Sequence, residues 1–556
     1  MNKSSLHYLI AILKAYEINT VVASPGTQNS CFNYLVQNDS HFRCFSCLDE
    51  RSAAYMAIGL ADESKKPIVI TCTGATASRN YLSALTEAFY RKVPIIALTF
   101  IDSNSNKYNL APQYIDRTVS QNDIKSVSIQ IPKINSDADV EECLTYLNVA
   151  ISTAIYKNEP IHINMPSDLN FEYSTDKLPS VWKTEYLSED FLIDIDVFNK
   201  NKVSIFIGSH PEFTNEEINL ISDFATKFGI PVICDHTSHY TGANKILSAR
   251  LAALQRFKDL PDIIIDLGNV TAEYSYFRVF KQAKIWRISR FGEFKNRNNR
   301  PLEKLFICSE KHFFKQMLTF PIKKSDYYSV LNNQVKKIKL PELLFCNAFI
   351  SSEIAKKLSG NKSLHTSILN SIRNINYFEL DSSIVLNCNV GGFGIDGAVS
   401  TLVGQSINNP NKMCFGIIGD TAFFYDMNVL GNRHINNNLR ILLVNNRRSV
   451  EFRLKLHICQ QEIGEAADEF IAAANHNKGG AKGWAESCGF KYLKAENKQE
   501  FLEQIDDFCN KEYDKPVLFE VFTTTKDEQD GLELMQTYNC NALEEGIIKC
   551  YKAIVK

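Results

Sequence analysis

Apolar positions along the chain alternate between two periods. Short, mostly apolar runs occur at 67–71, 93–100, 160–165, 204–207, 263–265, 414–418 and 441–444, each closed by polar or turn-forming residues. Runs of this length bounded by Gly, Pro, Asn or Asp predict strands buried on both faces. Between them, apolar residues recur every three or four positions: at 51–64, 78–92, 216–229, 344–358, 467–477 and 499–510. That spacing predicts helices. Residues 4–18 read as an amphipathic first helix, broken by His7, Lys14 and Glu17, rather than a leader peptide. Strand and helix alternate almost throughout, which predicts an α/β fold of parallel, doubly wound sheets.

The chain has 556 residues, too many for one core. Polar, punctuated linkers divide it into three expected domains: 1–175, 185–330 and 340–556. Net charge is −2, which gives no sign of nucleic-acid or membrane-surface binding. No apolar run reaches the roughly 18 residues of a membrane span. Fifteen cysteines lie scattered without framework spacing, which predicts reduced thiols and a cytoplasmic location. Cys44 and Cys47 sit in a strand-like run, 42–48, and read either as a redox pair or as two half-buried apolar thiols.

The chemistry concentrates in 419–446. A strand ends in Gly419-Asp420, a helix is expected from Ala422 to about His434, and a second strand ends in Asn445-Asn446. In open α/β sheets, ligands sit at the carboxyl ends of strands. Gly419 lets backbone approach a phosphate, and the amides at the helix start can hold it. Asp420 and Asn446 offer hard oxygens suited to Mg²⁺, which binds through few protein groups and shares phosphate oxygens. Far upstream, Glu50 follows a strand-like run and is expected to be buried, where its pKa would rise. It either serves a proton relay, caps the helix that follows it or pairs with Arg51. The middle third lacks a GxGxxG element and reads as a spacer, with Thr271, Glu273 and Tyr274 as candidate substrate contacts.

Gly-Asp followed after about 25 residues by Asn-Asn resembles the signature of thiamine diphosphate (ThDP) enzymes, with Thr421 where Gly is usual. Stretches 24–30, 49–61, 71–89, 160–166, 392–401 and 419–428 resemble the synthase family that joins 2-oxoglutarate to isochorismate in the menaquinone pathway, the SEPHCHC synthases. The resemblance covers the first and last thirds and is loose in the middle. It implies three domains that bind, in order, the pyrimidine, no cofactor, and the diphosphate. It implies Glu50 as the aminopyrimidine partner and Asp420, Asn446 and the Arg448 carbonyl as Mg²⁺ ligands. Ile395 would prop the bent cofactor. Pro25, Thr73, Asn80, Asn389, Gly419, Thr421, Ala422 and Phe452 would border it. Gln113 matches a glutamine near the reacting centre, and Ser371 a serine of the oxo-acid pocket. FAD is not expected. A homodimer or homotetramer with the cofactor at the subunit interface follows by analogy.

The departures concern the acceptor. The family grips polycarboxylates with arginines, whose forked donors fit them. Here Gln28, Val390 and Ile375 stand at three arginine positions, Ile101-Asp102-Ser103 replaces an Asp-Arg-Pro, and Glu273-Tyr274 falls near a Lys-Arg pair. The expectation is a ThDP- and Mg²⁺-dependent carboligase acting on a 2-oxo acid, with an acceptor other than isochorismate. The alternatives are a simple 2-oxo-acid decarboxylase and a non-catalytic scaffold. Arg79, Arg373, Arg447 and Arg448 read as a new anion site or as surface charges. Glu451 reads as an extra acid/base or as a solvent-facing carboxylate.

Overall fold

A computed structural model describes residues 4–102, 110, 114–115, 121–253, 259–272, 283–297, 300–455, 457–476 and 480–537. Gln113, Ser103, Glu273 and Tyr274 lie outside the described residues. Three sheets alternate with helices, and all their strand pairings are parallel. The first contains β1 (Thr20–Ala23), β2 (Arg43–Ser46), β3 (Ile68–Thr73), β4 (Ile95–Asp102), β5 (Val127–Gln130) and β6 (Ile161–Ser167), in the order β2-β1-β3-β4-β6-β5. The second contains β7 (Glu185–Leu187), β8 (Val203–Ile207), β9 (Val232–Cys234), β10 (Lys245–Leu247), β11 (Ile263–Leu267), β12 (Lys284–Ile288) and β13 (Leu302–Phe306), in the order β10-β9-β8-β11-β12-β13-β7. The third contains β14 (Lys362–Thr366), β15 (Val385–Cys388), β16 (Met413–Gly419), β17 (Leu439–Asn445), β18 (Lys491–Ala495) and β19 (Val517–Phe522), in the order β15-β14-β16-β17-β19-β18. The chain divides into two compact units: 1–191 with 284–307, and 192–283 with 308–556.

The strands read from apolar runs are central and buried. Among the second unit's strands, every residue of β8, β11 and β17 is buried, as helices on both faces of a parallel sheet require. Four expectations need correction. The first helix, Ser5–Ala15, is buried from Ser5 through Leu13 and is a core element rather than an amphipathic surface one. The strand β2 is an exposed edge: Cys44 is exposed and Cys47 partly so, and neither is in a disulfide. The helix expected at 422–434 runs Asp420–Asp426 and tightens into 3₁₀ turns at Met427–Gly431. The helix expected at 467–477 is a 3₁₀ turn, Gly464–Asp468, followed by irregular chain with left-handed Ala473 and Asn475. No helix among the described residues is long and apolar enough to cross a membrane.

Candidate functional site

The carboxyl ends of β14, β16 and β17 are neighbours in the third sheet, and the candidate clamp forms there. Gly419 N–H donates to Ser367 Oγ at 3.0 Å, and Ser367 Oγ lies 2.9 Å from Ser371 Oγ. Asp420 begins the next helix and is 5 % exposed. One of its oxygens accepts Thr421 N–H at 2.7 Å and the other accepts Arg448 N–H at 3.1 Å. Burial pushes its pKa up to about 6 against those hydrogen bonds. A buried carboxylate held that high lacks a positive partner.

The two asparagines after β17 divide their work. Asn445 is structural: its amide donates to buried Glu520 at 2.7 Å and its oxygen accepts Arg447 N–H at 3.0 Å. Asn446 is 6 % exposed, and its Oδ1 is buried with no hydrogen-bond partner. An orphaned carbonyl oxygen is costly. The end of the neighbouring strand carries a carboxylate whose charge burial disfavours. This donor set fits a hard divalent cation. A cavity of ≈ 60 Å³ adjoins Asp420, lined also by Thr421, Asn445, Arg447, Arg448 and His476. Ala422 is buried in the core beneath, Ile395 packs against the same cluster, and Thr421 Oγ1 lies 3.0 Å from Ser449 Oγ.

In the first unit, β1 and β3 end side by side. Gly26 lies so close to Thr73 that a Cβ there would meet the Thr73 methyl at 2.3 Å. Asn29 fastens the turn by accepting Gly26 N–H at 2.9 Å and donating to Ser24 O. Pro25 is exposed, and the Gln28 carbonyl accepts Ser167 Oγ–H at 2.9 Å. Glu50 is not buried at a strand end as expected. It is the partly exposed first residue of the helix Glu50–Ser64, entered from an exposed edge strand. Both rival roles fall to its neighbour. Asp49 is the N-cap, accepting Ser52 N–H at 3.0 Å, and Arg51 pairs with Asp49. Glu50 instead accepts Asn80 Nδ2–H at 3.1 Å, which joins two of the candidate residues.

The candidate arginines are largely engaged. Arg373 forks onto Glu451 at 2.9 and 3.0 Å, so the pair neutralises itself and Glu451 does not project into solvent. Arg448 and Arg453 both bind Asp468. Burial alone would raise that carboxyl, but the two guanidinium groups hold it below the usual range. Arg447, left-handed at φ 62°, stacks its guanidinium over Phe522. Arg79 is exposed and lines a small pocket in the first unit with Tyr81 and His162. Ser371 is buried, Asn389 donates to Thr401 Oγ1 at 3.1 Å, and Phe452 packs edge-on against His457. Val390 is buried in the wall of a larger cavity beside Asn389. Sequence reasoning missed Ser367, Asp468 and Glu520. Each is tied to the clamp by a contact distant in sequence, and no local pattern marks it.

Residues 4–127 match the thiamine pyrophosphate enzyme, N-terminal TPP binding domain. The chain thus carries an N-terminal stretch of the thiamine pyrophosphate-binding type. Along nearly its whole length it is similar to 2-succinyl-5-enolpyruvyl-6-hydroxy-3-cyclohexene-1-carboxylate synthases. That of Phocaeicola vulgatus is 28 % identical, with 97 % of this chain and 98 % of the relative covered. That of Bacteroides fragilis is 28 % identical, covering 94 % and 96 %. That of Flavobacterium johnsoniae is 28 % identical, covering 93 % and 95 %. The N-terminal match and the three parallel sheets agree with the ThDP-type signature in the sequence.

Proposed function

We propose that this ThDP enzyme decarboxylates a 2-oxo acid and joins the remaining acyl unit to an acceptor other than isochorismate. The observation that carries the proposal is a double deficit at the ends of two neighbouring strands: a carboxylate raised by burial on one and an orphaned amide oxygen on the other. Asp420, Asn446 and the Arg448 carbonyl would hold Mg²⁺, and the amides from Gly419 to Ala422 would receive the diphosphate. Bound ThDP supplies the electron sink that loss of CO₂ from a 2-oxo acid requires. Glu50, oriented by Asn80, would hold or accept a proton at the aminopyrimidine. Ile395 would support the cofactor's bend. The Arg373–Glu451 pair fixes the short helix Asn370–Ile375 after β14 against the 3₁₀ turn Val450–Arg453 after β17, and Ser371 would contact the oxo acid. Absence of arginine at Gln28, Ile375 and Val390 supports an acceptor other than a polycarboxylate, because losing a buried charge-assisted grip costs roughly 2–5 kcal/mol.

The residue ranges 1–175, 185–330 and 340–556 are taken as pyrimidine-binding, central and diphosphate-binding domains. Two or more chains would associate, and the cytoplasm is the proposed location. The test is CO₂ release from pyruvate, 2-oxoglutarate, oxaloacetate and phosphonopyruvate, with ThDP and Mg²⁺. We expect slow or single-turnover release from one acid, accelerated by an acceptor. Fast release with free aldehyde would favour a simple decarboxylase. No release from any of the four would defeat the proposal.

A further inference from the structure

The middle sheet carries a cavity that the clamp chemistry does not use. Strand β8 lies between β9 and β11: the chain moves outward through β9 and β10, then returns to the other side of β8 as β11. That reversal is a topological switch point, and the crevice beyond the strand ends there is where open α/β sheets bind ligands. A cavity of ≈ 300 Å³ occupies this crevice. Ser209 and His210 follow β8, Thr237 and His239 follow β9, and Asn269 follows β11. The opposite wall is the end of β15 with the start of the Gly-rich loop, Asn387 through Gly391. All of these residues belong to the second compact unit.

The rim is preformed. Asn269 N–H donates to Ser209 O at 2.9 Å, Ser209 N–H to Val270 O at 3.0 Å and His210 N–H to Thr237 O at 3.0 Å. Gly268 takes φ +70°, and a Cβ there would lie 2.8 Å from Ser209 O, so only glycine allows this lacing. Fully buried Asp235 fastens the loops below by accepting from Thr271 Oγ1 at 2.6 Å and Ala272 N at 2.9 Å. His239 Nε2–H donates to Leu386 O at 2.8 Å, tying the rim to the opposite wall.

The lining has hydroxyls, amides and carbonyls but no lysine, arginine, aspartate or glutamate among the described residues. Burial alone would lower the His210 pKa, but the hydrogen bond and charge of Glu310 carry it above the usual histidine range. That positive charge is spent internally: Nε2 faces Glu310 at 3.2 Å and Nδ1 faces Pro211 O at 2.7 Å. Val390 stands in the wall where the synthases' pattern has arginine. A carboxylate brought here would meet no Lys or Arg among the described lining residues to replace the water it gives up. A hydroxyl or carbonyl would be satisfied.

We infer that this switch-point cavity receives the acceptor, and that the acceptor is an uncharged, oxygen-rich carbonyl compound. The inference rests on the proposed carboligase, and it assigns the central domain a binding role in place of the spacer expected from sequence.

The test is ligand-observed saturation-transfer NMR on the full-length protein with ThDP and Mg²⁺ and no donor. Glycolaldehyde and glyceraldehyde are compared with succinic semialdehyde, an anionic aldehyde. Saturable contact is expected for the neutral pair only. Ser209→Tyr, which fills the cavity, should weaken that contact at least tenfold while leaving CO₂ release without acceptor unchanged. Val390→Arg should lose the neutral compounds and gain the anionic one. No neutral contact in the parent protein, contact with the anion alone, or indifference to both substitutions would overturn the inference. Because no turnover is needed, loss of CO₂ release with neutral contact retained would defeat the carboligase and not the cavity. Release without neutral contact would do the reverse.

Discussion

At the residue scale, geometry separates roles that sequence leaves open. Asp49, Glu50 and Arg51 are three charged residues in a row, and each could cap, pair or catalyse. The structure gives the cap and the ion pair to Asp49. Among the described residues Glu50 keeps one hydrogen-bond partner, the neutral amide of Asn80. A neutral donor orients a carboxylate without consuming its charge, which a proton relay needs. Glu50→Gln preserves shape and the Asn80 contact but cannot carry a proton. It is expected to fold and bind Mg²⁺ and ThDP normally, while deuterium exchange at C2 of the bound cofactor slows by about 10²- to 10⁴-fold. Exchange at the parent rate would remove Glu50 from the mechanism. The same scale explains what the sequence displayed and what it concealed. Gly419, Asp420 and Asn446 were legible because a Gly-Asp and an Asn-Asn ending two apolar strands form a local pattern. Ser367 was not, because its role depends on β14 lying beside β16, which no residue near Ser367 announces.

At the element scale, the buried strands were legible because burial on both faces demands unbroken apolar runs. The 467–477 segment was not. Its alanines have the right spacing for a helix, but Asp468 is drawn to Arg448 and Arg453, and tertiary contacts outweigh weak propensity. A related balance governs the turn after β9. His236 is buried there and neutral, its pKa brought down to about 3 by burial, with Lys245 and Arg250 adding to the effect. Its folded pKa lies below the unfolded one, so it favours folding above about pH 6.5, and that contribution is lost as pH falls. His365 in β14, lowered to about 4 by burial, acts in the same direction. Asp420, raised to about 6, and Glu528, raised to about 7, act oppositely, because each favours the folded state at low pH and loses that contribution as pH rises. Two losses and two gains overlap between about pH 4.5 and 6, so the apo-protein's stability should change little there. The difference between His236→Asn and the parent is sharper. Denaturant titrations should show the variant's deficit shrinking by roughly 1.4 kcal/mol for each pH unit below 6.5. A deficit that is constant with pH would mean that His236 is not held neutral.

At the scale of the whole molecule, the first unit shows a surface that a lone chain does not need. The helix Glu50–Ser64 buries Ala53, Ala54, Ala57, Ile58 and Ala61 and turns Tyr55, 46 % exposed, and Met56, 38 % exposed, outward. Leu48, 80 % exposed, precedes it, and β2 alongside is an open sheet edge. Between the two outward apolar residues and the next turn sits Gly59, where an added Cβ would meet nothing within 4 Å. Glycine inside a helix costs about 0.5–1 kcal/mol relative to alanine. A small residue is useful at that point if another backbone packs closely against it. We therefore expect the purified protein to sediment as a dimer or larger, not at the chain mass of 63.1 kDa. Gly59→Arg is the decisive substitution because its two consequences have opposite signs. In an isolated chain the substitution is accommodated in open space and should raise helix stability by several tenths of a kcal/mol. In a dimer packed on this face it inserts a long cation into an apolar contact. Sedimentation should then shift to the monomer mass, and CO₂ release should fall with it. A Gly59→Arg variant that stays assembled and active would show that this helix faces solvent and that assembly, if it occurs, uses another surface.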